Sequence, residues 1–505
     1  MKKIVIILLI TALIAGGCGK SFLNVNTNPN QPTTVGLNVI LAASLQGTAN
    51  DLANDFVNVT RWDAYWSRSG NYVPDVQTEE YSIPNNYTDP EWRRIWLTLN
   101  AYDHLGKQAE GTKNSQYYNA IAKLMKSFHF AILVDCYGDV PYSKAFDPLN
   151  NVKPAYDKQD AIYADLFAKI DSSIILFDQA KNTIAPQDQS SDIIFGGISD
   201  PGEEMDAWIR FANTLELRLL VHQSELGSAQ GFITSQLTKI QANGRGFMGG
   251  GQGAYANPGY TNSTNKISPF YGSFFLVTAP TTNVAYYRAN TYSINYYNGL
   301  KDPRIGFFYA PVAGSNTFAG NFDGDPAAVP NSFTSAIGSG VLKAPTQNAV
   351  IFSDFESLFL QAEATNLGWL PGGDAQAKAL YDSAVTQSFV YLYSGVAGAG
   401  DPVKAATAYL TGQAGTDYGL APDKRTLILT QKWAALNGIN WQEAWTDYRR
   451  TLIPNLPLSS STNHVQDKIP IRFLYPQVEL NTNGANVPSL PAGAQFSAKI
   501  FWDVH

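Results

Sequence analysis

Cysteine is nearly absent from this sequence, which has only Cys18 and Cys136 among its 505 residues. Cys18 lies in a segment that has the pattern of a processing site, so it is expected to be modified. The fold must then be stable without disulfide bonds, even if the chain is exported. Cys136 follows an apolar helical pattern, which predicts a buried and unreactive thiol.

Charge is also sparse, because Asp, Glu, Lys and Arg together make up 15% of the chain and the formal net charge is −7. No basic cluster is present, which argues against nucleic acid as a partner. Hydrophobic residues reach 45% and aromatic residues 12%. Such a composition is typical of a large globular core and not of a disordered chain.

The common signatures of catalysis and of metal binding are missing. The five histidines form no HExxH motif and no His–Cys cluster, and the chain has no G-x-S-x-G motif. The acidic pairs Glu79-Glu80 and Glu203-Glu204 are adjacent in sequence, whereas glycosidases need two opposed carboxylates. We therefore expect neither an enzyme nor a cofactor or metal site.

Two loop-like segments resemble ligand loops only superficially. The stretch RGFMGGGQG (245–253) is rich in glycine, but no strand–helix pattern supports phosphate binding, so we interpret it as a flexible loop. The stretch NFDGD (321–325) resembles a calcium loop without its distant glutamate, and an exposed turn is the favoured interpretation.

Long hydrophobic runs are absent, and the strongest one is the segment 4–14, broken by Thr11. It is shorter than the roughly 20 residues that a membrane-spanning helix needs. Lys2 and Lys3 precede it, and small residues at 15–17 lead to Cys18. This order predicts a signal peptide over 1–17.

Cys18 directly after small residues has the pattern of a lipobox, in which the thiol is diacylated and the signal is cleaved before it. Two or three acyl chains hold a protein stably on a membrane. Ala15 stands where a lipobox usually has leucine, and Ala15 with Gly17 would also suit an ordinary signal peptidase, which would leave Cys18 unmodified. The Asn-, Thr- and Pro-rich segment 18–35 predicts a lipidated tether.

Apolar residues recur at helical spacing in most of the remaining chain. The predicted helices are 36–66, a helix from Asp89, 115–136, 157–179 and 203–224, followed by hairpins within 352–392 and 427–451. Helices in successive pairs are typical of tetratricopeptide-like stacks. No 34-residue sequence repeat is present, so this prediction depends on helix pairing and on the resemblance described next.

Residues 246–352 have a different composition, with eight charged residues and nineteen Tyr and Phe. This composition predicts an ordered, helix-poor lobe of loops and short strands. The expected division is therefore a helical part over 36–245, the inserted lobe over 246–352, and helical hairpins with a closing segment over 353–505. The fold class is mainly α.

Several motifs resemble those of one family in the same order along the chain. They are FLNVNTNPNQP (22–32), YGDVPYSKAF (137–146), W-x-x-FAN-x-L-x-LRL (208–219), DPR (302–304), QKWAAL with EAW-x-DYRRT (431–451), and IPIRFLYPQVELNTNGANV (469–487). By these motifs the chain resembles the SusD/RagB family, in particular its SusD-like branch. The resemblance covers the mature chain from Cys18 to about Trp502.

The resemblance implies a SusD-like lipoprotein of the outer membrane of a Bacteroidetes-type bacterium. Members bind glycans such as starch at the cell surface and act as the lid of a SusC-type TonB-dependent transporter, breaking no bond. RagB-type relatives serve peptide uptake, so oligopeptide cargo is one alternative. A surface-anchored glycan-degrading enzyme and an adhesin are the others.

Two aromatic stretches are candidates for ligand binding, because indole and phenol rings stack on the apolar faces of sugars while polar side chains bind the hydroxyls. Packing in the core is the alternative for each of their residues. We interpret Trp92, Trp96 and the aromatic set between Trp433 and Tyr448 as core. The candidates are Trp62, Tyr65, Trp66, Arg68 and Tyr72 in the first stretch, and Tyr271, Tyr286, Tyr287, Arg288, Asn290 and Tyr292 in the second.

Overall fold

The computed structural model describes residues 35–505. The predicted signal peptide, the predicted lipid anchor Cys18 and nearly all of the predicted tether lie outside the described residues. Helices account for 51% of residues 35–505 and the strands there are few and short, which confirms the prediction of a mainly α fold. Within residues 35–505, each helix is too short or too polar to cross a membrane.

The N-terminal part is a stack in which each long helix packs against the next. Its helices are α1 (Leu37–Asn54), α2 (Val59–Trp62), α3 (Val76–Glu79), α4 (Asp89–Ala109), α5 (Ser115–Tyr137), α6 (Gln159–Ala180), α7 (Pro186–Gln189), α8 (Pro201–His222) and α9 (Gln230–Ala242). Its strands are β1 (Trp66–Arg68), β2 (Val140–Pro141) and β3 (Tyr156–Asp157). Helix α1 packs on α4, α4 on α5, α5 on α6, and α6 on α8. Asp200 begins α8 by accepting a hydrogen bond from the Glu203 backbone N–H.

The prediction of one helix over 36–66 is wrong, because α1 ends at Asn54. Asp55 is extended, with ψ of 144°, and Phe56 has φ of +56°. This turn carries the Phe56 ring onto Phe473, where the two rings stack with centroids 5.2 Å apart. Burial of the aromatic side chains after Asn54 thus outweighs the helical pattern of the segment.

The lobe between the two helical parts consists of short elements. They are α10 (Pro269–Phe274), α11 (Asn283–Tyr286), α12 (Thr291–Gly299), α13 (Ile305–Phe308), β4 (Ala254–Ala256), β5 (Tyr287–Ala289) and β6 (Ala349–Phe352). Strands β4 and β6 pair antiparallel, with Ala254 opposite Phe352 and Ala256 opposite Ala349. The lobe therefore begins and ends side by side, although its proposed limits at 246 and 352 stay a prediction.

The C-terminal part contains the two predicted hairpins. Its helices are α14 (Asp354–Asn366), α15 (Gly373–Tyr393), α16 (Pro402–Tyr409), α17 (Lys424–Ala435), α18 (Trp441–Thr451), α19 (Gln477–Asn483) and α20 (Ala494–Ser497). Gly438 joins α17 to α18 with φ of +68°, and a Cβ there would lie 2.9 Å from Val341 Cγ1. Only glycine meets both constraints.

The core lies between these parts and is rich in tryptophan and arginine. Trp433, Trp441 and Trp445 are buried, as predicted. Arg450 forms an ion pair of 2.6 Å with Glu363, and the Arg449 guanidinium lies over the Trp445 ring. Trp92 is buried and Trp96 half-buried, and the Cys136 thiol is also buried, so that its pKa is raised.

Candidate ligand-binding site

The structure brings the two aromatic stretches together through strand pairing. Strands β1 and β5 are antiparallel, with Trp66 opposite Ala289 and Arg68 opposite Tyr287. The Ser69 N–H extends the pairing by donating to the Tyr286 carbonyl oxygen at 2.8 Å. Segments more than 200 residues apart in the sequence therefore form one local structure.

Seven of the eleven candidate residues are buried, which corrects their assignment as ligand contacts in this conformation. The Trp62 ring packs on Trp445, with centroids 5.8 Å apart, and Tyr65 Oη donates to the Trp433 carbonyl oxygen. Side chains that are at most 7% exposed have too little accessible surface to stack on a ligand or to bind its hydroxyls. The buried candidates are Trp62, Tyr65, Trp66, Arg68, Tyr287, Arg288 and Asn290.

The polar side chains of this buried group already form hydrogen bonds within the protein. Arg288 donates to the carbonyl oxygens of Asn331 and Thr334 and to the Thr334 hydroxyl. The Asn290 amide caps the start of α12 by accepting from the Tyr292 N–H at 2.9 Å. The Asn290 amide also joins the lobe to β1 by donating to the Trp66 carbonyl oxygen at 3.3 Å. For all seven buried candidates, packing within the protein is therefore the role that the structure shows.

Four candidates are half-exposed: Tyr72, Tyr271, Tyr286 and Tyr292. Tyr72 and Tyr286 meet edge to face, with centroids 5.2 Å apart and an interplanar angle of 74°. Tyr271 stacks on Phe275, and Tyr292 Oη donates to the Asn455 carbonyl oxygen. Tyr72 and Tyr286 are therefore the only two of the four whose rings contact each other, and we call them the tyrosine pair.

Exposed polar and apolar groups surround the tyrosine pair. Asn71 Oδ1 accepts from the Asn331 N–H at 2.9 Å, and the Gly70 N–H donates to the Val329 carbonyl oxygen. These bonds fix the loop 329–333 beside Tyr72, and Phe333 in that loop is 64% exposed. A surface that combines aromatic rings with amide side chains has the chemistry for binding a sugar.

A buried ion cluster lies beneath the tyrosine pair. Arg61 is fully buried, and its guanidinium pairs with Glu79 and Asp323 at 2.6 Å each and with Asp75 at 2.9 Å. The same guanidinium donates to Tyr286 Oη at 3.1 Å. Arg61 thereby fixes one ring of the pair and the segment that carries the other, so the surface is preorganised.

Sequence reasoning missed Arg61 and Asp323, which are 262 positions apart. Burial raises the pKa of Asp323 to about 6 even though the Arg61 guanidinium favours its charged form. The expectation of an exposed turn over 321–325 is wrong for Asn321 and Asp323, which are both buried. Nothing in the sequence indicates this pairing, since Arg61 lies in no motif and the resemblance of 321–325 to a calcium loop does not predict an arginine partner.

Within residues 35–505 no group of three or more His, Cys, Asp or Glu side chains is arranged to hold a metal ion. The fold and this surface together define a class, namely a mainly helical protein of stacked helix pairs with an inserted, aromatic lobe.

The chain belongs to the SusD-like family, whose model, described as "Starch-binding associating with outer membrane", matches residues 29–476. No curated protein sequence matches the chain. A chitin-binding SusD homologue from Flavobacterium johnsoniae has a similar structure, with a TM-score of 0.72, 20% identity, and coverage of 92% of this chain and 99% of that one.

A SusD-like protein from Bacteroides thetaiotaomicron also has a TM-score of 0.72, with 20% identity and coverage of 93% of this chain and 99% of that one. A SusD homologue from Bacteroides fragilis has a TM-score of 0.71 and 19% identity, and coverage is 90% and 94%. At such identities these likenesses establish the shared fold.

Proposed function

We propose that this protein captures a glycan at the surface around Tyr72 and Tyr286 and passes it to a SusC-type TonB-dependent transporter, on which it acts as a lid. Acyl chains on Cys18 hold it at the cell surface on the outer membrane. Capture uses stacking and hydrogen bonds and breaks no bond in the ligand. Once bound, the glycan is delivered when the lid closes.

The observation that carries this proposal is the tyrosine pair, half-exposed and fixed from below by Arg61. A rigid ring loses little conformational entropy when a sugar stacks on it. The starch-binding description of the family and the chitin-binding relative support glycan as the ligand class.

Affinity electrophoresis of the purified protein through gels that contain single polysaccharides tests the proposal. We expect one glycan to retard the protein. A Tyr72→Ala/Tyr286→Ala variant should bind about 5- to 150-fold more weakly, because each of the two aromatic contacts contributes about 0.5–1.5 kcal/mol. Tyr142→Ala is the matched control, since Tyr142 is half-buried against Phe130 and lies outside the lobe.

Equal weakening by the control variant would contradict the assignment of the site. The peptide alternative has its own outcome in this experiment. If no glycan retards the protein and calorimetry with an oligopeptide mixture releases heat, then the cargo is peptide and the glycan proposal fails.

A further inference from the structure

A cavity of about 410 Å³ lies on another part of the molecule, beside β4, α15 and the loop before β6. This volume is within the range of about 300–1,000 Å³ that small-molecule sites occupy. None of the eleven candidate residues lines the cavity. The side chains that matter for its chemistry are Tyr255, Lys343, Gln347, Asp354, Gln387 and Tyr391.

One wall of the cavity is aromatic. Tyr255 and Tyr391 stack with centroids 6.1 Å apart and an interplanar angle of 16°, and both are half-buried. The Asp354 carboxylate already bonds within the protein, since it accepts from Tyr255 Oη at 3.1 Å and from the Gly251 N–H at 2.7 Å. Gln387 forms no side-chain hydrogen bond with the described residues, and its amide is therefore available to a ligand.

The cation of the cavity is Lys343. Its ammonium donates to the carbonyl oxygens of Tyr391 and Ser394 and lies 4.3 Å from the centroid of the Tyr391 ring. An ammonium has three donors, so one N–H remains. Both of its hydrogen-bond acceptors are neutral carbonyl oxygens, and burial lowers its pKa to about 8. An anion in the cavity would compensate the desolvated charge.

We propose that this cavity is a second binding site, which takes one acidic sugar ring such as a uronate. The carboxylate binds the Lys343 ammonium and the hydroxyls bind the Gln387 amide, while Tyr255 and Tyr391 form the aromatic wall beside the sugar ring. A free uronate and a uronate unit of a glycan present the same chemistry. The inference does not depend on the function proposed for the tyrosine pair.

Calorimetry of the purified full chain with D-galacturonate, its methyl ester and D-galactose tests the proposal. We expect galacturonate to bind at least about tenfold more tightly than the ester or galactose, because only it carries the carboxylate. Equal affinity for the three ligands, or no heat from any of them, would overturn the proposal. Binding of trigalacturonate without binding of the monomer would also overturn the proposal, since the site would then need more than one sugar ring.

The chain offers a matched pair of lysines for the variants. Lys424 also donates to two carbonyl oxygens, of Tyr418 and Ala421, and lies 5.1 Å from the centroid of a tyrosine ring, but it does not line the cavity. Lys343→Met should reduce galacturonate affinity at least about tenfold, whereas Lys424→Met should leave it unchanged. Equal effects of the two would refute a specific role for Lys343.

The two proposals can fail separately. The Tyr72→Ala/Tyr286→Ala variant should keep full galacturonate affinity, and Lys343→Met should keep the retardation by polysaccharide. Loss of galacturonate binding in the tyrosine variant would place the acidic sugar at the first site and overturn the second.

Discussion

Arg61 shows how one residue can organise a binding surface without touching the ligand. Its guanidinium has no exposed area and is surrounded by Asp75, Glu79 and Asp323 from two segments of the chain. Arg68 adds a second cation, 2.6 Å from Glu79. Removal of one partner from such a cluster leaves a buried charge uncompensated, which costs more than the pair itself contributes.

Asp323 and Asp325 form a matched pair for testing this cluster. Asp323→Asn should lower the free energy of unfolding by about 2 kcal/mol, because Arg61 keeps two of its three carboxylates. The Asp325 carboxylate accepts from the Ala327 N–H and is not part of the Arg61 cluster, so the same change to asparagine there should alter the stability by less than about 0.5 kcal/mol. Urea denaturation of both variants measures the difference. Similar midpoints would show that the charge of Asp323 contributes little to stability.

The same substitution makes a prediction about binding. Without the Asp323 carboxylate the Arg61 guanidinium is held less firmly, so Tyr286 is fixed less firmly too. We expect Asp323→Asn to weaken glycan retardation, and Asp325→Asn to leave it unchanged. Affinity electrophoresis at a temperature where both variants are folded separates this effect from loss of stability.

At the scale of elements, His222 at the end of α8 contacts side chains from three other helices. Its ring contacts Glu443 on α18 at 3.1 Å, Asp135 on α5 at 3.4 Å and the Tyr163 hydroxyl on α6. Glu443 also pairs with Lys432 at 2.7 Å and lies 3.6 Å from Arg218. Burial alone would lower the pKa of His222, but the Glu443 and Asp135 carboxylates raise it to about 9.

This pKa predicts a loss of stability at alkaline pH. The folded value, about 9, lies above the unfolded value near 6.5, so the stabilisation is complete below pH 6.5 and is lost as the pH rises through 9. The expected loss is about 3 kcal/mol between pH 6 and pH 10. Thermal unfolding across this range measures it, and a His222→Gln variant should show a flatter profile. An equally steep profile in the variant would assign the loss to other groups.

Helical elements were predictable where apolar spacing alone decides the structure. The hairpin of α14 and α15 is an example, since its inner faces repeat at helical spacing and Gly372 marks the turn. The end of α1 was not predictable, because the turn at Phe56 is determined by contacts with Phe473, more than 400 residues away. Trp62 and Trp66 were wrongly predicted as ligand contacts for a related reason. Aromatic residues suit a protein core and a sugar-binding surface equally well, and the sequence does not show which of them are buried.

At the scale of the whole molecule, the proposed function needs the helical frame to be held at a membrane. Residues 1–18 lie outside the described residues, so the lipid anchor is tested in cells. Wild-type protein should incorporate a palmitate analogue and sediment with membranes, whereas Cys18→Ala should do neither. Cys136→Ala is the control and should keep the label, because the Cys136 thiol is buried. Label on the Cys18→Ala variant, or its absence from wild type, would contradict the proposed anchor.

The pairing of β4 with β6 has a consequence for how such a protein can diversify. Because the lobe leaves and rejoins the helical frame at adjacent points, its sequence can change length and character while the frame keeps its packing. Strand β1 and the Arg61 ion cluster nevertheless bind the lobe to residues 61–79, since Arg61 pairs with Asp323 of the lobe and with Glu79. A graft of this lobe onto a related frame would therefore have to include that short N-terminal segment. We expect the two segments to vary together among related proteins, as one unit that determines which ligand is bound.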